Sequence, residues 1–308
     1  MIAGKFHLQG HRGLRGTSPE NTLPSFEQAL DARVSSIETD IHLTRDGVPA
    51  LCHDPFLSPA IFRLRGQADA VVQKATLVRD LTLQQLREYV AGGKPDPSRF
   101  NQQRAIATPA AQSFATAKAM DPFSVPTLRD LIEFAQTYAG SCGESAGKTA
   151  EQRRRAARLT FDLEIKFIPF HASRFAEPEF VIDRVLEIIR QVQVESRVVI
   201  RSFDHRLLKR IREVCPALTS AILIAAAVPI NPVRLVRDAG ASIYCPLYEY
   251  VDAEIIRECH REGVGVLPWT VNEREDWQRL LEWGVDGITS DYPDRLGQFL
   301  ESQGIEWE

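Results

Sequence analysis

The sequence predicts a TIM (β/α)8 barrel, and three observations predict it. Eight short strand-like runs recur along the 308 residues, alternating with helical patterns in the rhythm that builds parallel sheets. Charged and hydrogen-bonding residues gather at the C-terminal ends of those runs, where parallel barrels carry their functional groups. No GxGxxG occurs, so an open doubly wound sheet, the runner-up, lacks its dinucleotide fingerprint.

Composition narrows the class. A hydrophobic fraction of 44% and a charged fraction of 25% are those of a soluble globular chain, long enough to bury a full core. The net charge of −4 argues against a nucleic-acid partner. The one basic cluster, Arg153-Arg154-Arg155 with Arg158, reads as a solvated helix face. Five cysteines, at 52, 142, 215, 245 and 259, show neither an even count nor zinc spacing. No apolar run approaches the ~20 residues of a membrane span, and no amphipathic membrane helix stands out, so stable membrane insertion is not expected. The start, MIAGKFHLQ, has no hydrophobic region of signal-peptide length. A cytoplasmic location is expected, or a periplasmic or secreted one if a leader has been removed. Residues 1–308 read as one barrel domain whose rhythm is interrupted over about 55–125, and a barrel's hidden strand edges do not force oligomerisation.

Taken in order, Lys5 to Gln9 is a first strand running into His11-Arg12-Gly13. Asn21 or Thr22 caps a helix with Pro24 in its first turn and Leu23, Phe26, Ala29 and Leu30 on one stripe. Strand two starts at Ser36, turns at Arg45-Asp46-Gly47 and returns through Val48 to Leu51, ending on His53. Thr82 and Gln85 form a capping box for a helix with Leu83, Leu86 and Val90 inward, stopped by Gly92-Gly93 and Pro95. Residues 94–124 have little periodicity and suggest an insertion or mobile loop. A capped helix starts at Thr127 with Leu128, Leu131, Ile132, Ala135 and Tyr138 on one face. The stretch from Gly143 to Thr149 resembles a phosphate-binding loop but has three residues between its glycines where four are needed, so it reads as a flexible linker.

From there the alternation is regular. Strands are expected at Leu159–Ile165, Arg197–Ser202, Thr219–Ala225, Ala241–Pro246, Gly263–Thr270 and Val285–Thr289. The clearest helix is Glu179 to Gln193, with Val181, Val185, Ile188, Ile189 and Val192 on one stripe.

The polar strand ends carry the chemistry. Glu38 and Asp40 stand at i and i+2, so their side chains share a face. Two carboxylates aimed at one volume ask for a hard divalent cation with oxygen ligands; a solvated edge strand is the bland alternative. Glu164 and Lys166 repeat the spacing, making a mixed-charge centre suited to one metal and an anion. Arg12 offers a planar donor fork for phosphate oxygens. His11 and His53 can exchange protons near neutral pH, or serve as ordinary structural histidines. Trp269 and Phe203 read as an apolar wall, with Phe203 equally readable as barrel core.

These residues form an ordered series: His11-Arg12-Gly13, Pro19-Glu20-Asn21-Thr22, Glu38-Thr39-Asp40, Thr44-Arg45-Asp46-Gly47, His53-Asp54, Glu164-Ile165-Lys166, Ser202-Phe203, Trp269 to Asn272, Gly284 to Gly287 and Asp291-Tyr292-Pro293. The series resembles the glycerophosphodiester phosphodiesterases over about residues 7 to 300. The resemblance implies a TIM barrel with a small insertion after the second strand, and hydrolysis of small glycerophosphodiesters to glycerol 3-phosphate and an alcohol. It further implies one Mg²⁺ or Ca²⁺ ion on Glu38, Asp40 and Glu164, His11 and His53 as the acid/base pair, and a place in lipid and glycerol metabolism. The attacking group is water or the neighbouring glycerol hydroxyl. Where many relatives carry an Arg and a Gly-rich turn after His53-Asp54, this chain reads PFLSPAIFRLRG, which bears on substrate choice. The alternative is a related lipid phosphodiesterase or lyase of lysophospholipase D or sphingomyelinase D type, and behind it a non-enzymatic phosphodiester-binding barrel.

Overall fold

The computed structural model describes residues 5–66, 76–92 and 100–308. Chain order begins with β1 (His7–His11), α1 (Leu23–Asp31), β2 (Ser36–Leu43) and β3 (Pro49–Leu51). It continues through β4 (Phe62–Leu64), α2 (Leu83–Leu86), β5 (Tyr89–Ala91), α3 (Pro109–Ala117), α4 (Leu128–Ala139), α5 (Ser141–Ser145) and α6 (Ala150–Ala157). The regular part is β6 (Thr160–Ile165), α7 (Pro178–Gln191), β7 (Val198–Ser202), α8 (His205–Val214), β8 (Thr219–Ile224), α9 (Pro232–Asp238) and β9 (Ile243–Pro246). The chain closes with α10 (Ala253–Arg261), β10 (Gly265–Val266), α11 (Arg274–Trp283), β11 (Gly287–Ser290) and α12 (Pro293–Ser302).

Eight parallel strands run β10-β9-β8-β7-β6-β2-β1-β11 around a TIM barrel, with β3 antiparallel on β2. Backbone hydrogen bonds from Asp286 to Val266 (3.1 Å) and from Thr289 to Pro268 (3.0 Å) draw β11 against β10 and its continuation. Because strand side chains alternate, one set faces the helices and the other the barrel axis. The outward set packs with the helices into the main core, Leu8, Ile37, Phe161, Ile200, Tyr244 and Ile288 among its members. Leu23, Phe26 and Leu30 of α1 are buried there, worth about 2 kcal/mol each in area removed from water. Thr22 caps α1 by accepting from Ser25 N, and Thr127 makes a capping box with Asp130 at α4.

The differences from expectation have local causes. The strand expected at Lys5–Gln9 lies two residues later, so His11 is part of the ladder. The helix capped by Thr82 ends after one turn, and Val90 sits on β5 paired with Arg63. Gly93 and Pro95, read as its stop, lie outside the described residues. The stretch expected to be loop contains α3, fastened to α1 because Glu27 accepts from Thr108 Oγ1 and from Ala111 N. The segment read as a flexible linker is instead a fastened turn between two helices: residues 143–145 end α5, Thr149 makes the capping box of α6, and Lys148 pairs with Glu27 (2.6 Å) and Asp31 (2.7 Å). Of Gly263–Thr270 only two residues are strand. The excursion between β3 and α4 builds its own small core from Leu57, Phe62, Val78 and Leu86 against Ala50 and Val125.

Candidate active site

At the C-terminal end of the barrel a cavity of about 460 Å³ opens, lined by His11, Arg12, Glu38, His53, Glu164, Lys166, Phe203 and Trp269 together with Arg15, Glu20, Asp54 and Arg201. Strand register explains the gathering. His11 of β1 lies beside Glu38 of β2, and Asp40 lies beside Glu164 of β6, all at inward-facing positions. One oxygen each of Glu38, Asp40 and Glu164 lies within 4.8 Å of the others, and all three residues are buried.

Around that triad the charges are unevenly shared. Lys166 Nζ is 2.9 Å from Asp40 Oδ1 and 2.7 Å from Glu164 Oε1, and Arg12 Nε is 3.1 Å from Asp40 Oδ2. Burial alone would raise the Asp40 pKa, but Lys166 and Arg12 hold it well below the usual carboxylate range. Glu38 has no Lys or Arg ion pair among the described residues, and burial with the charge of Asp40 pushes it well above its ordinary value. Three buried oxygen donors, one lacking a cationic partner, fit a hard divalent cation.

Arg12 reaches this position through a strained turn. Its φ is +53°, in the left-handed region that costs most residues about 1 kcal/mol or more. Its N–H donates to Glu38 O (3.0 Å), and its Nη1 donates to Glu20 Oε1 (2.9 Å). Gly13 follows at φ +87°, where an added Cβ would stand 2.7 Å from Ser25 O. Asn21 Nδ2 donates to Asp40 Oδ2 (3.1 Å) and fixes the carboxylate from the loop side.

The two histidines differ in setting. His11 is buried, its Nδ1 2.6 Å from Asp291 Oδ1, and Asn272 Nδ2 donates to the other Asp291 oxygen at 2.9 Å. Burial raises the Asp291 pKa, yet His11 and Arg15 hold it below the usual range. An ionised carboxylate only accepts, so Nδ1 carries the proton and Nε2 has its lone pair free. Burial and the Arg12 charge push the His11 pKa down to about 4, so the ring is neutral at pH 7. His53 sits on the loop after β3 with a third of its side chain in solvent and Nδ1 2.8 Å from Asp54 Oδ1. Phe203 is 43% exposed and meets Trp269 edge to face at 5.6 Å, so the alternative that made it barrel core does not hold.

All nine residues singled out from the sequence therefore line or border one cavity. The sequence puts Asn272 and Asp291 at strand ends where the site is expected but assigns them no role, and it assigns Glu20, Arg15 and Arg201 no place in the site. Period two would have found Arg201, which shares a face with Phe203. Its guanidinium pairs with Asp162, and Gln9 bridges that pair to Thr289.

Polar groups concentrated at this end of a parallel barrel mark an enzyme. The chain matches the model of the glycerophosphoryl diester phosphodiesterase family over residues 11–295, and it belongs to that family. A glycerophosphodiester phosphodiesterase of Caldanaerobacter subterraneus subsp. tengcongensis is 25% identical, the match covering 96% of this chain and 97% of that one. A crystal structure from Silicibacter pomeroyi assigned to the same phosphodiesterases superimposes with a TM-score of 0.81 at 30% identity, covering 99% of this chain and 96% of the other. An Oleispira antarctica phosphodiesterase in complex with the product sn-glycerol-3-phosphate shares the fold, with a TM-score of 0.70 at 20% identity and 96% of both chains covered.

Proposed function

We propose that the protein hydrolyses glycerophosphodiesters to sn-glycerol 3-phosphate and an alcohol. The observation that carries the reading is the meeting, in one cavity, of the buried Glu38, Asp40 and Glu164 triad with His11, His53 and the cations of Arg12 and Lys166. The triad would hold one Mg²⁺ or Ca²⁺ ion, which as a Lewis acid neutralises phosphate charge. Arg12 and Lys166 bind the phosphate oxygens and stabilise the negative charge that grows on them in the transition state. Neutral His11 accepts the proton of the attacking hydroxyl at Nε2, while Asp291 holds the ring in the tautomer that leaves Nε2 free. His53, oriented by Asp54 and open to solvent, gives its proton to the leaving alkoxide. Phe203 and Trp269 shield the carbon skeleton from water.

The test is release of glycerol 3-phosphate from glycerophosphocholine by metal-stripped protein, with Mg²⁺ and Ca²⁺ returned separately. Release restored by either ion is expected; none with either, in folded protein, defeats the reading. A substrate with a nitrophenolate leaving group separates the histidine roles. It needs no acid, so His53→Ala should recover most of its rate there while His11→Ala should not.

A further inference from the structure

We propose that the mouth of this cavity docks on a lipid–water interface, so that the enzyme takes glycerophosphodiesters held in a lipid surface as well as free ones. The inference rests on the phosphodiesterase reading above and names where that activity is exercised. The βα loops after three neighbouring strands, β6, β7 and β8, each turn large apolar side chains outward: Ile168 (51% exposed) and Phe170 (91%), Phe203 (43%), and Val228 (58%) with Ile230 (103%). These are five of the seven large hydrophobic side chains exposed among the described residues, and all lie on loops at the catalytic end of the barrel. Scattered single apolar residues need no explanation, but a group on adjoining loops marks an interaction surface.

The loops are built to hold them there. In the same loop Phe167 and Phe175 meet edge to face at 5.8 Å, Phe167 packs on the main core, and Arg79 Nη1 donates to Phe175 O at 2.5 Å. Phe170 therefore projects from an anchored loop. After β8 the chain reads Ala-Ala-Ala-Val-Pro-Ile over residues 225–230, six positions without a charge or hydrogen-bonding side chain. Asn231 then caps α9 by accepting from Arg234 N at 2.7 Å.

Lipid is the occupant that matches the polarity of the site and its rim. The cavity is charged at its floor, where the triad and Lys166 lie, and apolar where Phe203 meets Trp269; Phe203 belongs to both wall and rim, so the apolar surface is continuous from site to solvent. An amphiphile has the same gradient, with a charged phosphodiester head and an apolar chain. Its hydrolysis follows the same balance: one water is consumed, the phosphorus–oxygen bond to the alcohol breaks, and that oxygen takes a proton. The chain remains with the glycerol phosphate. Side chains that enter only the interface need no spanning segment, and no helix among the described residues is long and apolar enough to cross a membrane.

The experiment compares wild type with the double variant Phe170→Asp, Ile230→Asp, neither residue lining the cavity. Binding is read by co-sedimentation with phosphatidylcholine vesicles, and turnover on lysophosphatidylcholine micelles and on free glycerophosphocholine. Wild type should sediment with vesicles. The variant should lose that binding and about tenfold or more in kcat/KM on micelles, with glycerophosphocholine turnover unchanged. Wild type that hydrolyses glycerophosphocholine yet neither sediments nor loses micellar activity with the substitutions overturns the docking proposal alone. Loss of glycerophosphocholine turnover in wild type would instead overturn the phosphodiesterase reading. A concentration-dependent dimer abolished by the same substitutions, without vesicle binding, would reassign the rim to a second copy of the chain.

Discussion

Along β1, β2 and β6 the barrel interior carries Gln9, His11, Glu38, Asp40, Asp162 and Glu164, whereas the side formed by β8, β9 and β10 presents Ala221, Leu223, Ile243, Cys245 and Leu267. Both sets are buried at the same depth of the same sheet. On the polar side nearly every charge has a partner: Asp162 with Arg201, Asp40 with Lys166 and Arg12, Asp291 with His11. Glu38, beside the candidate cation site, differs in having no Lys or Arg side-chain ion pair among the described residues, its Oε2 accepting only from the Arg12 backbone N–H at 3.3 Å. The apolar side needs no partners and makes a firm wall against which the cavity is shaped. Chemistry and stability are thus separated around the barrel axis, and substitutions should separate them too.

The largest effect is expected at the triad. Glu38→Gln should lower kcat by about 10³-fold, since a cation contributes several kcal/mol of transition-state stabilisation. It should weaken Mg²⁺ or Ca²⁺ affinity measured by calorimetry, with no loss in the urea midpoint, because burial and Asp40 already disfavour the Glu38 charge. A lower midpoint with normal turnover would erase the contrast. Next, His11→Ala should cost about 10²- to 10⁴-fold in kcat, the usual contribution of a general base. Asp291→Asn should cost less, since the imidazole remains and only its orientation and tautomer are loosened. Steady-state rates across pH for both variants would show it.

On the apolar side the effect reverses. Leu267→Ala should lower unfolding free energy by about 3 kcal/mol through lost burial and a residual cavity. Turnover at a temperature where the variant stays folded should remain within about twofold of wild type. Urea denaturation with an activity assay on the same samples makes the comparison.

At neutral pH the last effect vanishes, because it concerns acid. His42 continues the inward file of β2, its ring 5.7 Å from that of Phe175 and Nε2 3.1 Å from His53 O. Burial pushes its pKa down to about 4, while the unfolded chain takes the proton near ~6.5. Between those values the unfolded state binds more protons, so stability falls as pH drops from about 6.5 to about 4. The loss is at most about 3.5 kcal/mol at ~1.4 kcal/mol per pH unit. Buried His7 and His11 are pushed down to about 4 as well, so His42→Asn should reduce the slope of that part of a stability curve, measured by denaturant unfolding, without abolishing it.

Much of the site was legible because strand periodicity is local. Glu38 with Asp40 and Glu164 with Lys166 announce a shared face by spacing alone, and the barrel rule puts strand ends together. The same reasoning stopped short at Arg201, whose partner Asp162 is close only through the β6–β7 register. The short helix at Thr82 shows the opposite failure. The capping box expected at Thr82 and Gln85 is present, but where a helix ends depends on what its next residues pair with, and Val90 pairs across to Arg63.

By itself the sequence determined the barrel, through eight repeats of strand and helix pattern, and nominated the carboxylates, cations and histidines by residue type and spacing. Only the tertiary structure decided which carboxylate goes without a cation, which histidine is neutral with a free Nε2, and which apolar side chains stay in solvent around the mouth. Those properties depend on burial and on distances between groups far apart in the chain. Residue type sets what a group can do, and its surroundings set which charge and which partner it has.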